Sequence, residues 1–460
     1  MNNIILQVCH QFITEVMDFF KDGKALDFAG MEKELKESSN KFLREVIKAY
    51  LEETDRKIAE DKAGRRQKGL VVERRNEERR VYTRFGELTY SRSYYYNKKK
   101  EMYVHPVDLV VGLEAYERVS LAVAADLVGH AAEASYGESS RHVTGGEVSR
   151  QTVMKKIRKA HGLKVAAPPK KKAVKVLHVD ADEDHVALQD GSNTIVPIVT
   201  VHEGVKKSCK GRNRCVNAHH VCTYGKAPED LWLEVAEWIY EAYDVDSLEA
   251  IYIHGDGASW IRKGLEMLPK PKPVLDKYHL NKAIMNCTGS QPERRKELRQ
   301  VLKDADRDGF EIIIRDMARE AKSENELKRI KEFRHYVLNN WKGIEIHKTG
   351  ECGGSSAEAH VSHVLSARMS SRPMGWSREG LKYMAELRAF CANGGVVGVE
   401  HLRTKEDINH LVKKAIKRAQ RVFRGINLYT LGNLSAITMG KVTPLFKALR
   451  SIQYSGLHTR

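Results

Sequence analysis

Near residue 175 the spacing of apolar residues changes period, and that change limits the folds open to this chain more than any other feature. Before it, "MEKELKESSNKFLREVIKAYLEETDRKIAEDKA" places apolar residues three and four apart, as a helix requires. "AAPPKKKAVK", residues 166–175, is a linker by composition, and strands follow it. "AVKVLHVDAD" leads into "HVALQ", the Asp-Gly turn of "DGSN" comes next, and "TIVPIVTV" returns, which predicts three successive antiparallel strands. "APEDLWLEVAEWIYEAY" then reads as a helix with Pro228 in its first turn and Leu231, Val235, Trp238 and Ile239 on one face. "LEAIYIHGDGASW" is an apolar strand ending at Asp256, followed by a helix and the short strand in "KPVLDKYH".

Within the first of these strands, "LHVDADEDHVALQ" carries Asp180, Asp182, Glu183 and Asp184, an unusual charge for a buried element. Side chains alternate, so Leu177, Val179 and Ala181 share one face while His178, Asp180 and Asp182 share the other. Three strands, a helix and a further strand is the topology of a ribonuclease-H-like fold, in which the first and fourth strands lie side by side. An acid late on each would meet its counterpart, and Asp182 and Asp256 hold those places, Asp182 close to where the backbone turns toward the second strand. Gly257 after Asp256 allows close approach of another group. Two carboxylates brought together repel unless a cation lies between them, and Mg²⁺ or Mn²⁺ suits oxygen ligands. Glu358, which follows "GGSSA" and starts a helix, is the best third ligand. Three carboxylates holding two such ions can carry out in-line phosphoryl transfer. For Asp180, Glu183 and Asp184 the plainer role is turn solvation or supporting hydrogen bonds. His360 and His363, one helical turn apart in "AEAHVSH", could contact a phosphate or a metal.

The fold class expected is therefore α+β and multidomain. Residues 1–62 form an N-terminal helical region and 63–112 a basic β-hairpin region around Gly86 and Glu87, with tyrosines among Arg84, Arg92 and Lys98 to Lys100 that would suit phosphates or simply pack on their own domain. Residues 113–165 break into short helices with helix-turn-helix spacing across a Gly-Gly turn. Ser149 is placed to cap the last of these helices. Val153, Ile157 and Ala160 face inward, which leaves Arg150, Gln151, Lys155, Arg158 and Lys159 for DNA. The α/β core spans 173–285 and resumes at 349–400, around a charged helical insertion at 286–348. A basic helical tail occupies 401–460.

The 78 Lys and Arg against 61 Asp and Glu give a net charge of +17, which favours a polyanionic partner. No run of about 18 apolar residues suggests a membrane span, and the N-terminus lacks the leader of a signal peptide. Seven cysteines, an odd and scattered number, fit a reducing cytoplasm. Cys209, Cys215, Cys222, His219 and His220 cluster without a C-x-x-C pair, so they do not predict zinc. No phosphate-loop pattern supports a nucleoside triphosphatase.

"VDADEDHVALQDG", "VTVHEG", "IYIHGDGASWI", "LDKYHLNKAI" and "SSAEAHVSHVLSARMSSRPMGWS", with "VSRQTV" and "FGELTYSRSYYY" nearer the N-terminus, resemble bacterial insertion-sequence transposases of the ISLre type, which share the DDE catalytic design. The resemblance covers nearly the whole chain. It implies Asp182, Asp256 and Glu358 as a catalytic, metal-binding triad, two Mg²⁺ or Mn²⁺ ions, and double-stranded DNA at element ends and target as substrate. Asp180, His360, His363 and Arg372 would lend support. It also implies a homo-oligomer that pairs two ends, working in the bacterial cytoplasm. Ala359 and Ala367 depart from the family's usual Gly and Asp. The alternatives are a DNA-binding protein without catalysis, domesticated or decayed, and a metal-dependent nuclease of the same fold.

Overall fold

A computed structural model describes residues 2–21, 27–207, 213–349, 352, 355–372 and 374–403. They fall into two units, one running to Val123 and taking in Leu402 and Arg403, the other spanning Ala124–His401. Among the described residues no helix is long and apolar enough to cross a membrane. The tail expected as a basic helix lies outside the described residues beyond Arg403, as does Cys209.

The first unit begins with helices α1 (Asn2–Lys21), α2 (Phe28–Glu60) and α3 (Lys62–Lys68). Strands β1 (Leu70–Thr83), β2 (Gly86–Asn97) and β3 (Met102–Val104) form one antiparallel sheet, closed by α4 (Pro106–Val111). The hairpin is longer than its sequence signal, and its turn is Arg84-Phe85. Part of its basic and aromatic set serves as core: Arg79, Arg92, Tyr90 and Tyr95 are buried, while Arg74, Arg75, Arg80 and Arg84 are exposed. Tyr90 is buried beside Leu88, Tyr95 is buried as well, Arg92 pairs with Asp108, and Tyr90 donates to the same carboxylate at 2.6 Å. Of the basic residues there that would suit phosphates, Arg84, Lys98, Lys99 and Lys100 are exposed and Arg92 is buried.

Helix α5 (Leu121–Glu133) leads into the second unit, followed by α6 (Tyr136–Thr144) and α7 (Arg150–Lys159). The Gly145-Gly146 turn between the last two needs positive φ at both residues, 65° and 94°, which glycine adopts without steric cost. Ser149 caps α7 by accepting from Thr152 N, and Val153, Ile157 and Ala160 face inward as expected.

The central sheet is built from β4 (Val176–Ala187), β5 (Asn193–His202), β8 (His219–Cys222), β9 (Ala250–Gly255) and β10 (Pro271–Leu275); β6 (Val205–Lys207) and β7 (Asn213–Cys215) form a side hairpin. Its order is β10-β9-β4-β5-β8, with β4, β5 and β8 antiparallel in turn and β9 and β10 parallel to β4. The two segments expected as separate strands, 173–182 and 185–189, belong to the continuous β4, because its ladder to β5 runs unbroken from His178 to Ala187. The third antiparallel strand is β8. Asp182 therefore sits inside a strand and not near its turn.

Helices α8 (Pro228–Ala242) and α9 (Ser259–Met267) cover the apolar face, where Leu177, Val179, Val199, Val201, Ile251 and Ile253 meet Leu231, Trp232, Val235 and Ile261. The helical block begins earlier than expected: α10 (Lys277–Thr288) shares its core with α11 (Pro292–Lys303), α12 (Arg307–Glu320), α13 (Glu324–Asn339) and α14 (Trp341–Thr349), around Leu280, Ile284, Phe310 and Phe333. The chain returns through α15 (Ala357–His360), a π-helical turn (Val361–Ser366), α16 (Ala367–Met369) and α17 (Arg378–Ala392). These elements pack on the polar face of β4, β5 and β8. The mixed α/β character anticipated from the sequence is present.

Candidate metal centre

Strand alternation puts Asp180, Asp182 and Asp184 on the polar face of β4, and three separate environments then divide them. The parallel pairing of β4 with β9 ends at Asp180 beside His254, so Asp182 and Asp256 each lie two residues past its end, Asp182 within β4 and Asp256 just after β9. Glu358 comes over this point on α15, and His279 on the first turn of α10. One donor atom from each of Asp182, His279 and Glu358 can be chosen so that all lie within 4.8 Å of one another, with His279 Nε2 4.0 Å from Glu358 Oε1. Asp256 is outside that trio, and its Oδ1 accepts from Ala258 N at 2.8 Å. Gly257, at φ 88°, lets Asn340 approach so closely that a Cβ there would lie 2.3 Å from its side-chain oxygen.

The electrostatics follow from burial and crowding. Burial, with repulsion from Glu358 and Asp256, pushes the Asp182 carboxyl up to about 6, although Glu183 N donates to it at 2.8 Å and His279 pulls the other way. His279 is raised above the ordinary histidine value, first by its hydrogen bond with Asp276 and then by the charges of Asp182, Asp276 and Asp256, against burial. Asp276 caps α10, accepting from His279 N at 3.1 Å, and holds the ring by Nδ1 at 3.0 Å. Burial raises Asp276, but His279 outweighs it and leaves the carboxyl lowered. A half-buried acid cluster of this charge, with one imidazole oriented by a carboxylate, has the donors and outer support that a hard divalent cation needs.

The other acids of "DADED" are occupied elsewhere. Asp184 accepts from Ser370 Oγ at 2.8 Å and Ser366 Oγ at 3.0 Å, and Glu183 accepts from Trp260 Nε1 at 2.7 Å on the opposite face. Asp180 is buried below the cluster, where it accepts from Ser356 N at 2.9 Å and lies near His202 and His360. His363 and Arg372 are exposed and, among the described residues, no hydrogen bond or ion pair brings either side chain to Asp182. On α7, Arg150, Gln151, Lys155 and Lys159 are exposed. Arg158, expected to face outward, instead pairs with Glu379 of α17 at 2.8 Å, because α7 packs on that helix.

Asp276 and His279 do not stand out from strand alternation or from the spacing of the acids. Their signal is nonetheless present in "LDKYH": an acid ending an apolar strand, followed at the third residue by a histidine, is an N-cap that also grips an imidazole.

The fold and this site define an α/β protein with a carboxylate and histidine cluster beside the end of a parallel strand pair. The chain belongs to the Uncharacterised protein family UPF0236, whose model matches residues 21–406. Similar proteins include a UPF0236 protein of Caldanaerobacter subterraneus subsp. tengcongensis, 40% identical with 98% of each chain covered, whose name joins eleven loci of that genome. Another from the same organism is 39% identical with 99% of each chain covered. A UPF0236 protein of Streptococcus gallolyticus, named for a vanSb 3′ region, is 24% identical over 83% of this chain and 86% of its own. Many near-copies in one genome is the pattern typical of mobile elements.

Proposed function

We propose that this protein is a DNA transposase of the DDE design, with a ribonuclease-H-like core, that cuts at the ends of an insertion sequence and joins them to target DNA. The observation that carries the reading is the meeting of Asp182 and Glu358, far apart in the chain, with His279 in one half-buried cluster beside Asp256. The order β10-β9-β4-β5-β8 supports the core, and the many loci of its relatives support a mobile element.

Asp182, Asp256 and Glu358 would hold Mg²⁺ or Mn²⁺, and the chemistry such ions supply is activation of an attacking oxygen and stabilisation of a leaving one in phosphoryl transfer. Asp182 offers its free oxygen while its Oδ1 is held by Glu183 N, which fixes the carboxylate plane. Asp256 is fixed in the same way by Ala258 N. His279, kept in place and favoured as a cation by Asp276, presents Nε2 toward Glu358, where it can bind a scissile phosphate oxygen. Helices α5 to α7 act as a helix-turn-helix, with the exposed Arg150, Gln151, Lys155 and Lys159 reading or clamping the element end.

The test uses purified full-length protein, DNA carrying the element's terminal inverted repeats, and Mg²⁺. Wild type is expected to nick the end and join it to target, while Asp182→Asn binds the same DNA without cutting it. Normal cutting by Asp182→Asn would defeat the assignment.

A further inference from the structure

Helix α1 is apolar on two sides, and among the described residues only one of them is covered. On the first side Phe12 stacks on Phe42 of α2, ring centroids 4.8 Å apart, and half-buried Val8, Val16 and Phe19 continue that side at helical spacing. The second side holds Leu6, His10, Ile13, Met17 and Phe20, at steps of four, three, four and three residues. Its four apolar members are 52–65% exposed. None of the three charged residues of α1 falls among them: Glu15 accepts from Lys41 of α2 at 2.6 Å, and Asp18 and Lys21 pair with each other at 3.6 Å. The contrast with α2 is plain, because its solvent side carries Glu32, Lys33, Glu34, Lys36 and Glu37.

Alternating steps of three and four average 3.5 residues, the repeat by which one helix keeps the same seam against another over several turns. A helix apolar on both sides is one that is buried on both. The occupant that fits is a second copy of this chain. An identical seam is offered by every copy, so two can meet about a twofold axis, and no charge on the seam opposes them. His10 is the one polar member, and a single polar residue on such a seam fixes its register. The four exposed apolar side chains leave about 400 Å² in water, a patch large enough to mark an interaction surface. Two copies face to face would cover about 800 Å², and Gln7 and Thr14 alongside bring the total to about 1,000 Å², the lower bound of a specific interface. At 20 residues α1 is about 30 Å long and would pair weakly in isolation. Each copy is already braced by α2, however, so two α1–α2 pairs meeting along α1 complete a four-helix arrangement.

We infer that α1 is a self-association helix, in which Leu6, Ile13, Met17 and Phe20 pack against the same residues of a second copy. The pairing does not depend on the chemistry at Asp182. On the proposed reading it would place two cutting sites in one particle, one for each element end.

The test is the mass in solution of nuclease-treated full-length protein without DNA, measured by light scattering behind a sizing column. Wild type is expected at twice the 52.3 kDa chain mass, and Ile13→Glu with Met17→Glu at the mass of one chain. Both side chains face solvent within a single chain, so the far-ultraviolet circular dichroism of the double variant should match wild type. Ile13→Cys keeps the test decisive where the double variant fails to fold. Residue 13 is the middle of the seam, and a short bis-maleimide is expected to join two chains through it, well above wild type with its native cysteines alone. Wild type at the mass of one chain, which would leave this side to another segment of the chain or to a different protein, overturns the inference. A folded double variant that stays at twice that mass overturns it too, as does Ile13→Cys that links no more chains than wild type.

Discussion

At the scale of single residues, Asp182 links stability to the proposed chemistry. Its carboxyl titrates near 6 in the folded chain against 3.8 as an ordinary aspartate, so the folded state holds the proton more tightly than the unfolded state does. The stability this contributes is full below the ordinary value and is lost as pH rises through about 6. Above that, the metal-free protein carries a cost on the order of 1–2 kcal/mol after solvent screening. Asp182→Asn should therefore stabilise the metal-free protein by about that much at pH 7.5 and not at pH 4, as read from urea midpoints at the two pH values. A variant less stable than wild type at pH 7.5 would show that Asp182 is not the strained member of the cluster. Asp276 acts one step back: Asp276→Asn keeps the cap of α10 but removes the charge that holds His279, and end cleavage should fall about 10–100-fold with DNA binding unchanged.

At the scale of elements, a buried arginine joins the small helices to one another. Arg388 of α17 is 4% exposed and donates to Val364 O at 2.7 Å, His363 O at 2.6 Å and Ala132 O at 3.2 Å, and it pairs with Glu133. It thus clamps the π-helical turn after Glu358 to the end of α5. Arg388→Met would strand those carbonyls, and a loss of roughly 3 kcal/mol in unfolding free energy is expected. On α7, Arg150→Ala with Lys155→Ala should weaken binding to any duplex and reduce the salt slope by about 1 for each phosphate left without its cation; an unchanged slope would remove this helix from the DNA face. These elements also show what the sequence could convey. Alternation marked the polar face of β4 correctly, because period-two patterning depends only on neighbouring residues. It could not show that β4 continues through Asp182 to Ala187, since that follows from the β5 ladder. Likewise the inward face of α7 was legible from Val153 and Ile157, but the capture of Arg158 by Glu379 was not, because the partner belongs to another helix.

At the scale of the whole molecule, a net charge of +17 and a compact group of acids must coexist. The basic excess favours a polyanion, which by itself would avoid Asp182, Asp256 and Glu358. On the proposed reading, divalent cations would reconcile the two by neutralising the cluster before phosphate approaches. Mn²⁺ should accordingly raise the thermal midpoint of the full chain, more at pH 7.5 than at pH 5, where Asp182 is largely protonated and competes with the metal. An increase independent of pH, or one retained in Asp182→Asn with Glu358→Gln, would place the ion elsewhere. The central claim is that Asp182, Asp256 and Glu358 form a metal-dependent site that cuts DNA. Its most direct test is cleavage of end DNA by wild type and Glu358→Gln, each with Mg²⁺ and with a chelator. The expected result is cutting by wild type with Mg²⁺ alone, with at least about a hundredfold loss in Glu358→Gln; cutting by wild type in chelator, or by Glu358→Gln at the wild-type rate, would contradict it.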